Sequence, residues 1–339
     1  MIRGICAVAL ALGCPALSWG AAHHVILSGS GGEAEFQERF AGWTARLQDA
    51  LLKQAGADAA RIHVLAADPA GKPDASGGIR LEAIQAMFAD LAAQSQPADD
   101  VFVYLIGHGS YLDGVTKFHI PGPDLNAKEL KGLLDAVPSR RALVIAAVSS
   151  GASYVNELSG PNRIICSAAK SVDEINAPVF MENFIKGMED GAADRDHDDR
   201  ISILEACEYA AELTDTWYTT EGYKATEHAI LDDNGDGLGS RLPLDQALAD
   251  ALAPEPATDT GIFDGKTASE VYLKDFVFPE SVPREIVDQY LAALDAVTAL
   301  RERKTGMSES DYLAELEKLL VQAARANREI HRHLPAVSP

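Results

Sequence analysis

The sequence predicts an α/β fold in which helices cover both faces of a mostly parallel β-sheet. From residue 24 to about residue 169, short apolar stretches alternate with amphipathic ones, which is typical of β-α repeats. Two of the short stretches, residues 100–106 and 142–148, are apolar at nearly every position. Strands buried on both faces of a parallel sheet have this composition, because each side chain contacts a covering layer of helices.

The predicted elements follow one another in a regular order. Strands are predicted at residues 24–27, 61–65, 100–106, 142–148 and 163–167, and helices at residues 34–54, 81–94 and 127–134. In the first helix, apolar side chains recur at helical spacing, namely Phe36, Phe40, Trp43, Leu47 and Leu51. Residues 178–245 are predicted to be mostly helical. Two further helices, at 284–304 and 309–331, are separated by a short turn and should form an antiparallel hairpin.

These patterns divide the chain into five segments. They are a signal sequence at 1–22, an αβα domain at 23–190, a helical extension at 191–252, a linker at 253–282 and a C-terminal helical hairpin at 283–334. Only two cysteines follow the signal sequence, Cys166 and Cys207. Two thiols do not make a disulfide framework, so we expect buried core residues, with a disulfide bridge or a reactive thiol as the alternative.

The first 22 residues have the features of a secretory signal sequence. Arg3 supplies a positive charge, residues 5–12 are apolar, and small residues allow cleavage before Ala21. The apolar part is too short to span a membrane, which takes about 20 residues. We therefore expect export to the periplasm or out of the cell. Lipid attachment at Cys14 is the alternative.

The strongly acidic composition excludes two classes of partner. The chain has 51 acidic and 29 basic side chains, which gives a formal net charge of −22. Nucleic-acid binding needs a clustered basic surface to neutralise phosphates, and binding to anionic lipids needs a basic segment. We expect neither activity, and no membrane span. The carboxylates are either spread over the surface or concentrated in binding sites.

Two neighbouring strands end in sequences that suggest a functional site. Residues 107–110 read Gly-His-Gly-Ser after the strand at 100–106, and residues 149–151 read Ser-Ser-Gly after the strand at 142–148. Ligands of parallel α/β folds bind at the carboxyl ends of the strands. His108 is therefore expected at the ligand-binding edge, although a turn histidine without a catalytic role is the alternative.

Several motifs in the same order resemble the legumain-type (C13) peptidases of the caspase-like clan. They are Gly-Ser-x-Gly at 29–32, a Val-Phe-Val-Tyr strand followed by His-Gly-Ser at 101–110, Pro-x-x-Asp-Leu at 121–125 and Ala-x-x-Ser-Gly at 147–151. The resemblance covers about residues 23–190. It implies a caspase/legumain-like αβα sandwich, in which His108 and Gly109 occupy the position of the catalytic base.

The resemblance places the family's catalytic cysteine at Val148. Valine has no nucleophilic atom, so the His–thiolate mechanism cannot operate. A serine peptidase using His108 with Ser149 or Ser150 is an alternative, but adjacent side chains of a strand face opposite sides, so Ser149 should point away from the histidine. The basic residue of the family's specificity pocket is also missing, because Arg39 lies two positions late. The sequence thus favours an inactive homologue that binds a peptide or a protein.

An acidic segment at residues 194–205 matches the calcium-binding loop of an EF-hand. The expected ligands at loop positions 1, 3, 5, 7, 9 and 12 are Asp194, Asp196, Asp198, the Arg200 carbonyl, Ser202 and Glu205. Asp199 replaces the usual glycine at position 6, where the backbone needs a positive φ angle. We expect structural Ca²⁺ binding, with a solvated acidic turn as the alternative.

A second acidic loop matches the same pattern less completely. Asp232, Asn234 and Asp236 occupy the first three ligand positions, but Pro243 stands where a bidentate glutamate is needed. These residues are equally compatible with a weak Ca²⁺ site, to which Glu227 and His228 just upstream would contribute, and with a simple Asp/Gly turn. Calcium and the C-terminal helices together also allow a further interpretation, in which the protein is a calcium-dependent assembly module that forms oligomers through those helices.

Overall fold

The computed structural model describes residues 20–67, 78–244, 264–275, 278 and 281–333. The chain forms two compact units, one comprising residues 1–275 and the other residues 276–339. Cys14 and most of the signal sequence predicted at 1–22 lie outside the described residues, as does most of the linker predicted at 253–282. Both assignments therefore stay predictions.

Twelve strands and nine helices lie within the described ranges. The strands are β1 (Ala22–Ser28), β2 (Ile62–Ala66), β3 (Asp100–Ile106), β4 (Gly109–Leu112), β5 (Val115–Phe118), β6 (Leu125–Asn126), β7 (Arg141–Ala147), β8 (Arg163–Ser167), β9 (Ile201–Ser202), β10 (Ile230–Asp232), β11 (Ser240–Arg241) and β12 (Tyr272–Lys274). The helices are α1 (Ala34–Lys53), α2 (Leu81–Gln94), α3 (Ala127–Ala136), α4 (Ala152–Leu158), α5 (Phe180–Glu189), α6 (Ile203–Glu221), α7 (Lys266–Ser269), α8 (Arg284–Glu302) and α9 (Glu309–His333).

A seven-stranded sheet forms the centre of the first unit, with the strand order β11-β10-β8-β7-β3-β1-β2. The five strands from β8 to β2 pair in parallel, as the sequence predicts. At the other edge β10 and β11 pair antiparallel and extend the sheet. The prediction that residues 178–245 are mostly helical is wrong for these two strands, because strands of two or three residues show no measurable periodicity.

The central strands are buried on both faces, and their side chains alternate between two apolar cores. On one face Phe102, Tyr104 and Ile145 pack with apolar side chains of α1, α5 and α6. On the other face Val103 and Val144 pack with side chains of α2, α3 and α4. Alternation follows from the pleat of the strand, and it explains why every residue of β3 is buried. The predicted αβα sandwich is therefore confirmed.

A small antiparallel sheet, β4-β5-β6, follows β3 directly and was not anticipated from the sequence. Its first two strands are joined by Asp113 and Gly114, which both have positive φ angles, of 52° and 78°. An Asp-Gly pair is a common signal for a tight hairpin turn. The signal was present, but the flanking residues Tyr111, Leu112 and Val115 are exposed and lack the alternation of a half-buried strand.

The second unit is an antiparallel pair of helices, α8 and α9, joined by a short 3-10 turn at Lys304–Gly306. Near one end of the pair Val287 packs with Ile330, and near the other end Leu300 packs with Leu319. This pairing of early with late residues is that of the hairpin expected from the sequence. None of the described helices is long and apolar enough to cross a membrane.

Candidate functional site

The imidazole of His108 lies just beyond the end of β3 and is half-buried against helix α1. Its Nε2 donates a hydrogen bond to the Gly31 carbonyl at 3.1 Å, and the rings of Phe36 and Phe40 contact it edge-on. Burial lowers the pKa of His108 and nearby His119 lowers it further, although the Gly31 carbonyl acts in the opposite direction. In the neutral ring only Nδ1 then has a free lone pair.

Val148 occupies the corresponding position beyond β7, the strand next to β3. The two strands pair in parallel up to their last residues, so the turns that follow them are neighbours. Val148 is fully buried. A Cβ atom added at Gly109 would lie 3.3 Å from Val148 Cγ2 and only 2.6 Å from the Ser149 carbonyl oxygen. The loop that carries His108 therefore packs directly on position 148, and it can do so because residue 109 has no side chain.

The two serines after Val148 are buried, and the backbone of a neighbouring loop holds the second one. The Ser150 hydroxyl donates to the Val172 carbonyl at 2.9 Å, and its amide donates to the Glu174 carbonyl at 2.8 Å. Ser150 also has a positive φ angle of 57°, which marks a tight turn. Within the described part of the chain, neither serine hydroxyl forms a hydrogen bond with His108. Ser150 is thus positioned to shape the turn.

A cavity of about 670 Å³ opens next to the histidine, and Phe36 both lines this cavity and contacts the His108 ring. Helix α1, the start of α5 and the end of α6 form its walls. The lining is rich in aromatic side chains, namely Phe36, Trp43, Trp217, Tyr218 and Tyr223, with Arg39, Asn176, Asn183, Lys224 and Thr226 among the polar ones. Sequence reasoning missed this cavity, because its walls come from three distant segments that share no motif.

Some of the charged side chains around the cavity are paired with an opposite charge, and one has no such partner among the residues described. Glu182 accepts hydrogen bonds from Trp43 Nε1 at 2.5 Å and from Arg46 at 2.6 Å, so its charge is neutralised locally. Arg39 is paired within its own helix. Lys224, in contrast, is exposed and forms no ion pair with any other described residue. The cavity of this acidic protein therefore has, at its edge, a lysine that is not paired with any carboxylate in the described part of the chain.

Residues 83–207 match the sequence model of the Peptidase C13 family. The chain carries a C13-family domain. The matched segment contains β3 with His108, β7 with Val148 and the acidic loop, so the resemblance inferred from the sequence motifs is confirmed over residues 83–207. A comparison with curated proteins found no significant match.

The acidic loop at the end of the C13 segment brings its first three expected ligands together. Asp194, Asp196 and Asp198 each have a carboxylate oxygen within 4.8 Å of the others, and this is the only such group of His, Cys, Asp or Glu side chains among the residues described. Asp199 adopts a φ angle of 67°, the left-handed conformation expected at loop position 6. Burial and the neighbouring carboxylates raise the pKa of Asp196. Oxygen donors crowded in this way fit a hard divalent cation such as Ca²⁺.

The far end of this loop is closed by Glu205 and Ser202, at the start of α6. Glu205 Oε2 accepts hydrogen bonds from the Ser202 amide at 2.8 Å and hydroxyl at 2.7 Å, and Oε1 accepts from the Arg195 amide at 3.0 Å. The Arg200 guanidinium pairs with Asp198 at 2.7 Å and stacks on Tyr272. The loop thus ties Glu205 to the amides of Arg195 and Ser202, and Arg200 supplies the positive charge beside Asp198.

In the second acidic loop the side-chain oxygens accept hydrogen bonds from backbone amides of the same loop. Asp232 accepts hydrogen bonds from the Gly235 and Gly237 amides, at 3.0 and 2.9 Å, and is almost completely buried. Asn234 and Asp236 likewise accept from amides two residues further on. These contacts are those of Asx turns, which need no metal ion. The first loop makes such contacts too, since Asp194 accepts from the Asp198 and Asp199 amides. The turn interpretation of residues 232–238 is favoured because the described residues show no cluster of three carboxylates there.

The suggested additional ligands of that loop, Glu227 and His228, are engaged elsewhere, so this suggestion is wrong. The Glu227 carboxylate is 3% exposed and accepts hydrogen bonds from the Val179 and Phe180 amides, at 2.9 and 2.8 Å, where α5 begins. His228 pairs with Glu174, which also fixes the loop that contacts Ser150. Both residues therefore anchor the segments around the cavity.

Glu227 should make stability depend on pH. Burial raises its pKa to about 8, from 4.5 in an exposed glutamate, so between these values the folded protein keeps a proton that the unfolded chain releases. The free energy of unfolding should therefore decrease as pH rises through this window, by up to about 1.4 kcal/mol per pH unit. Urea denaturation at several pH values should show a steeper decrease for the unmodified protein than for Glu227→Gln. Equal slopes would contradict the assignment, and exposed Glu221→Gln serves as the control.

Proposed function

We propose that this protein is an exported, non-catalytic homologue of legumain-like peptidases, which binds an extended peptide segment beside His108 and holds a structural Ca²⁺ in the 194–205 loop. The residue at position 148 carries the proposal. A C13 peptidase needs a thiolate there, and the chain instead has a buried valine. Export is supported by the signal-like pattern of residues 1–22.

The surroundings of His108 also argue against hydrolysis by a substitute nucleophile. Nε2 of the imidazole is occupied by the Gly31 carbonyl, and the Ser150 hydroxyl is occupied by the Val172 carbonyl. A general base must lie within about 3 Å of the proton that it abstracts. Neither serine after Val148 forms such a contact with His108 in the part of the chain described here, so nothing activates a hydroxyl as nucleophile.

The cavity next to His108 supports retention of peptide binding. Its volume of about 670 Å³ is within the range of small-ligand sites, roughly 300–1,000 Å³, and its aromatic walls suit a large apolar side chain. Trp217 and Tyr223 are exposed at its edge, at 38% and 63%. With Lys224 unpaired beside them, the preferred segment has an apolar or aromatic residue next to a carboxylate. Its backbone would run along the carboxyl ends of β3 and β7.

The first prediction concerns catalysis. The unmodified protein should not hydrolyse a fluorogenic peptide library, because it has no activated nucleophile. Position 148 is as buried as Cys166 and Cys207, so faster reaction of the Val148→Cys thiol with iodoacetamide would report a thiolate favoured by the neighbouring His108, and we expect a rate at least about tenfold higher. Mass spectrometry of the alkylated peptides measures this. Hydrolysis by the unmodified protein that disappears in His108→Ala would refute the proposal.

The second prediction concerns peptide binding. On an array of short peptides that varies one position at a time, the protein should retain peptides with an aromatic or large apolar residue beside an acidic one. Trp217→Ala should weaken this binding at least about tenfold, because it removes a large aromatic surface from the cavity wall. Exposed Leu238→Ala, outside the cavity lining, should leave binding unchanged. Equal retention by both variants, or no retention at all, argues against the cavity as the binding site.

The third prediction concerns calcium. Millimolar Ca²⁺ should raise the melting temperature of the chelator-treated protein by about 5–10 °C, as expected for a ligand at about a hundred times its dissociation constant. Asp196→Asn should abolish most of this shift, since it removes a charge from the centre of the ligand set. Asp236→Asn, in the self-satisfied second loop, is the matched control and should keep it. If Ca²⁺ has no effect on either protein, the 194–205 loop is only a turn.

A further inference from the structure

Helix α9 has two apolar faces, and only one of them packs against α8. The packed face includes Leu319, Ala326 and Ile330. Leu313, Leu320 and Val321 are instead exposed, at 53%, 49% and 42%. At 100° per residue these three side chains form one stripe, which lies roughly 120° around the helix from the packed face. A helix in a bundle contacts two neighbours in this way.

The charges along α9 are separated between its two ends. The first half carries Glu309, Asp311, Glu315, Glu317 and Lys318, and the second half carries Arg325, Arg328, Glu329 and Arg332, so their net charges are −3 and +2 with histidines neutral. Two copies of α9 side by side would repel each other in a parallel arrangement and attract each other in an antiparallel one. The stripe is therefore complementary to a second copy of itself in one orientation only.

The distribution of charge over the chain also favours a second copy of α9 as the partner of the exposed stripe. Residues 276–339 contain 10 acidic and 8 basic side chains, so nearly all of the net charge of −22 belongs to residues 1–275. Two copies that meet through the acidic part would repel each other strongly, whereas the hairpin is close to neutral. Glu317 and Arg328 lie beside the stripe, are exposed, and form no ion pair with any residue that the structure describes.

We propose that two copies of this chain associate through the exposed stripe of α9, packed antiparallel about a two-fold axis between Leu320 and Val321. In this register Leu320 of each copy faces Val321 of the other. Leu313 faces the stem of Arg328, and that guanidinium comes within one helical turn of Glu317 of the other copy. The two hairpins together form an antiparallel four-helix bundle. The surface includes no residue of the acidic loop, so the association needs no calcium.

Sedimentation equilibrium of the full chain over roughly 1–100 µM protein tests the proposal, and we expect a monomer–dimer equilibrium. Leu320→Lys should weaken the association at least about thirtyfold, because each copy loses a buried apolar side chain. Gln322→Lys is the control, since it is exposed on the other side of α9, in the groove shared with α8. Circular dichroism should show that both variants keep the helix content of the unmodified protein.

The orientation has its own test in charge reversal. Glu317→Arg and Arg328→Glu should each weaken self-association, because each places like charges together twice in the dimer. An equimolar mixture of these two variants should dimerise at least as well as the unmodified protein, since both cross-pairs are then opposite in sign. Three results would overturn the proposal. They are association that survives Leu320→Lys, association that is abolished by Gln322→Lys, and an unmodified chain that stays monomeric over the whole concentration range. A mixture that does not recover overturns the antiparallel register.

Discussion

The parallel pairing of β3 with β7 is the constraint on which the candidate site depends. Both strands are buried, and their apolar side chains alternate between the two cores of the αβα sandwich. Parallel neighbours end at the same edge of a sheet, so the pairing carries the turn after β3 and the turn after β7 to one place. His108 and position 148 are therefore neighbours whatever residue occupies position 148.

A valine at position 148, where the proposed loss of cysteine-peptidase chemistry originates, is compatible with the architecture of the site. Val148 is buried, and its methyl group lies against the backbone of Gly109, so an apolar side chain fits the space between the two turns. Cysteine-peptidase chemistry needs one sulfur atom, whereas the fold needs a large number of apolar contacts. Catalysis can therefore be lost while the cavity and the strand ends keep their shape.

The acidic side chains serve different purposes in different parts of the chain, although the composition shows only a net charge of −22. At 194–205 three carboxylates crowd together, and burial together with the neighbouring carboxylates raises the pKa of Asp196. At 232–238 carboxylates accept amide hydrogen bonds and shape turns, as Asp194 also does with the Asp198 and Asp199 amides. Glu227 is different again, because it is buried at the start of α5. What distinguishes the first loop is the approach of three carboxylates to within 4.8 Å of one another, which occurs nowhere else among the described residues.

The sequence by itself determined the parallel sheet, the position of His108, the valine at 148 and the spacing of the first acidic loop. These features depend on local periodicity and on residues close together in the chain, which a single sequence displays. Tertiary structure alone decided that β10 and β11 extend the sheet, that Glu227 and His228 face away from the second loop, and that Trp43 and Trp217 line one cavity. Each of these depends on contacts between segments far apart in the chain, and the packing of the whole sandwich, not any local pattern, brings such segments together.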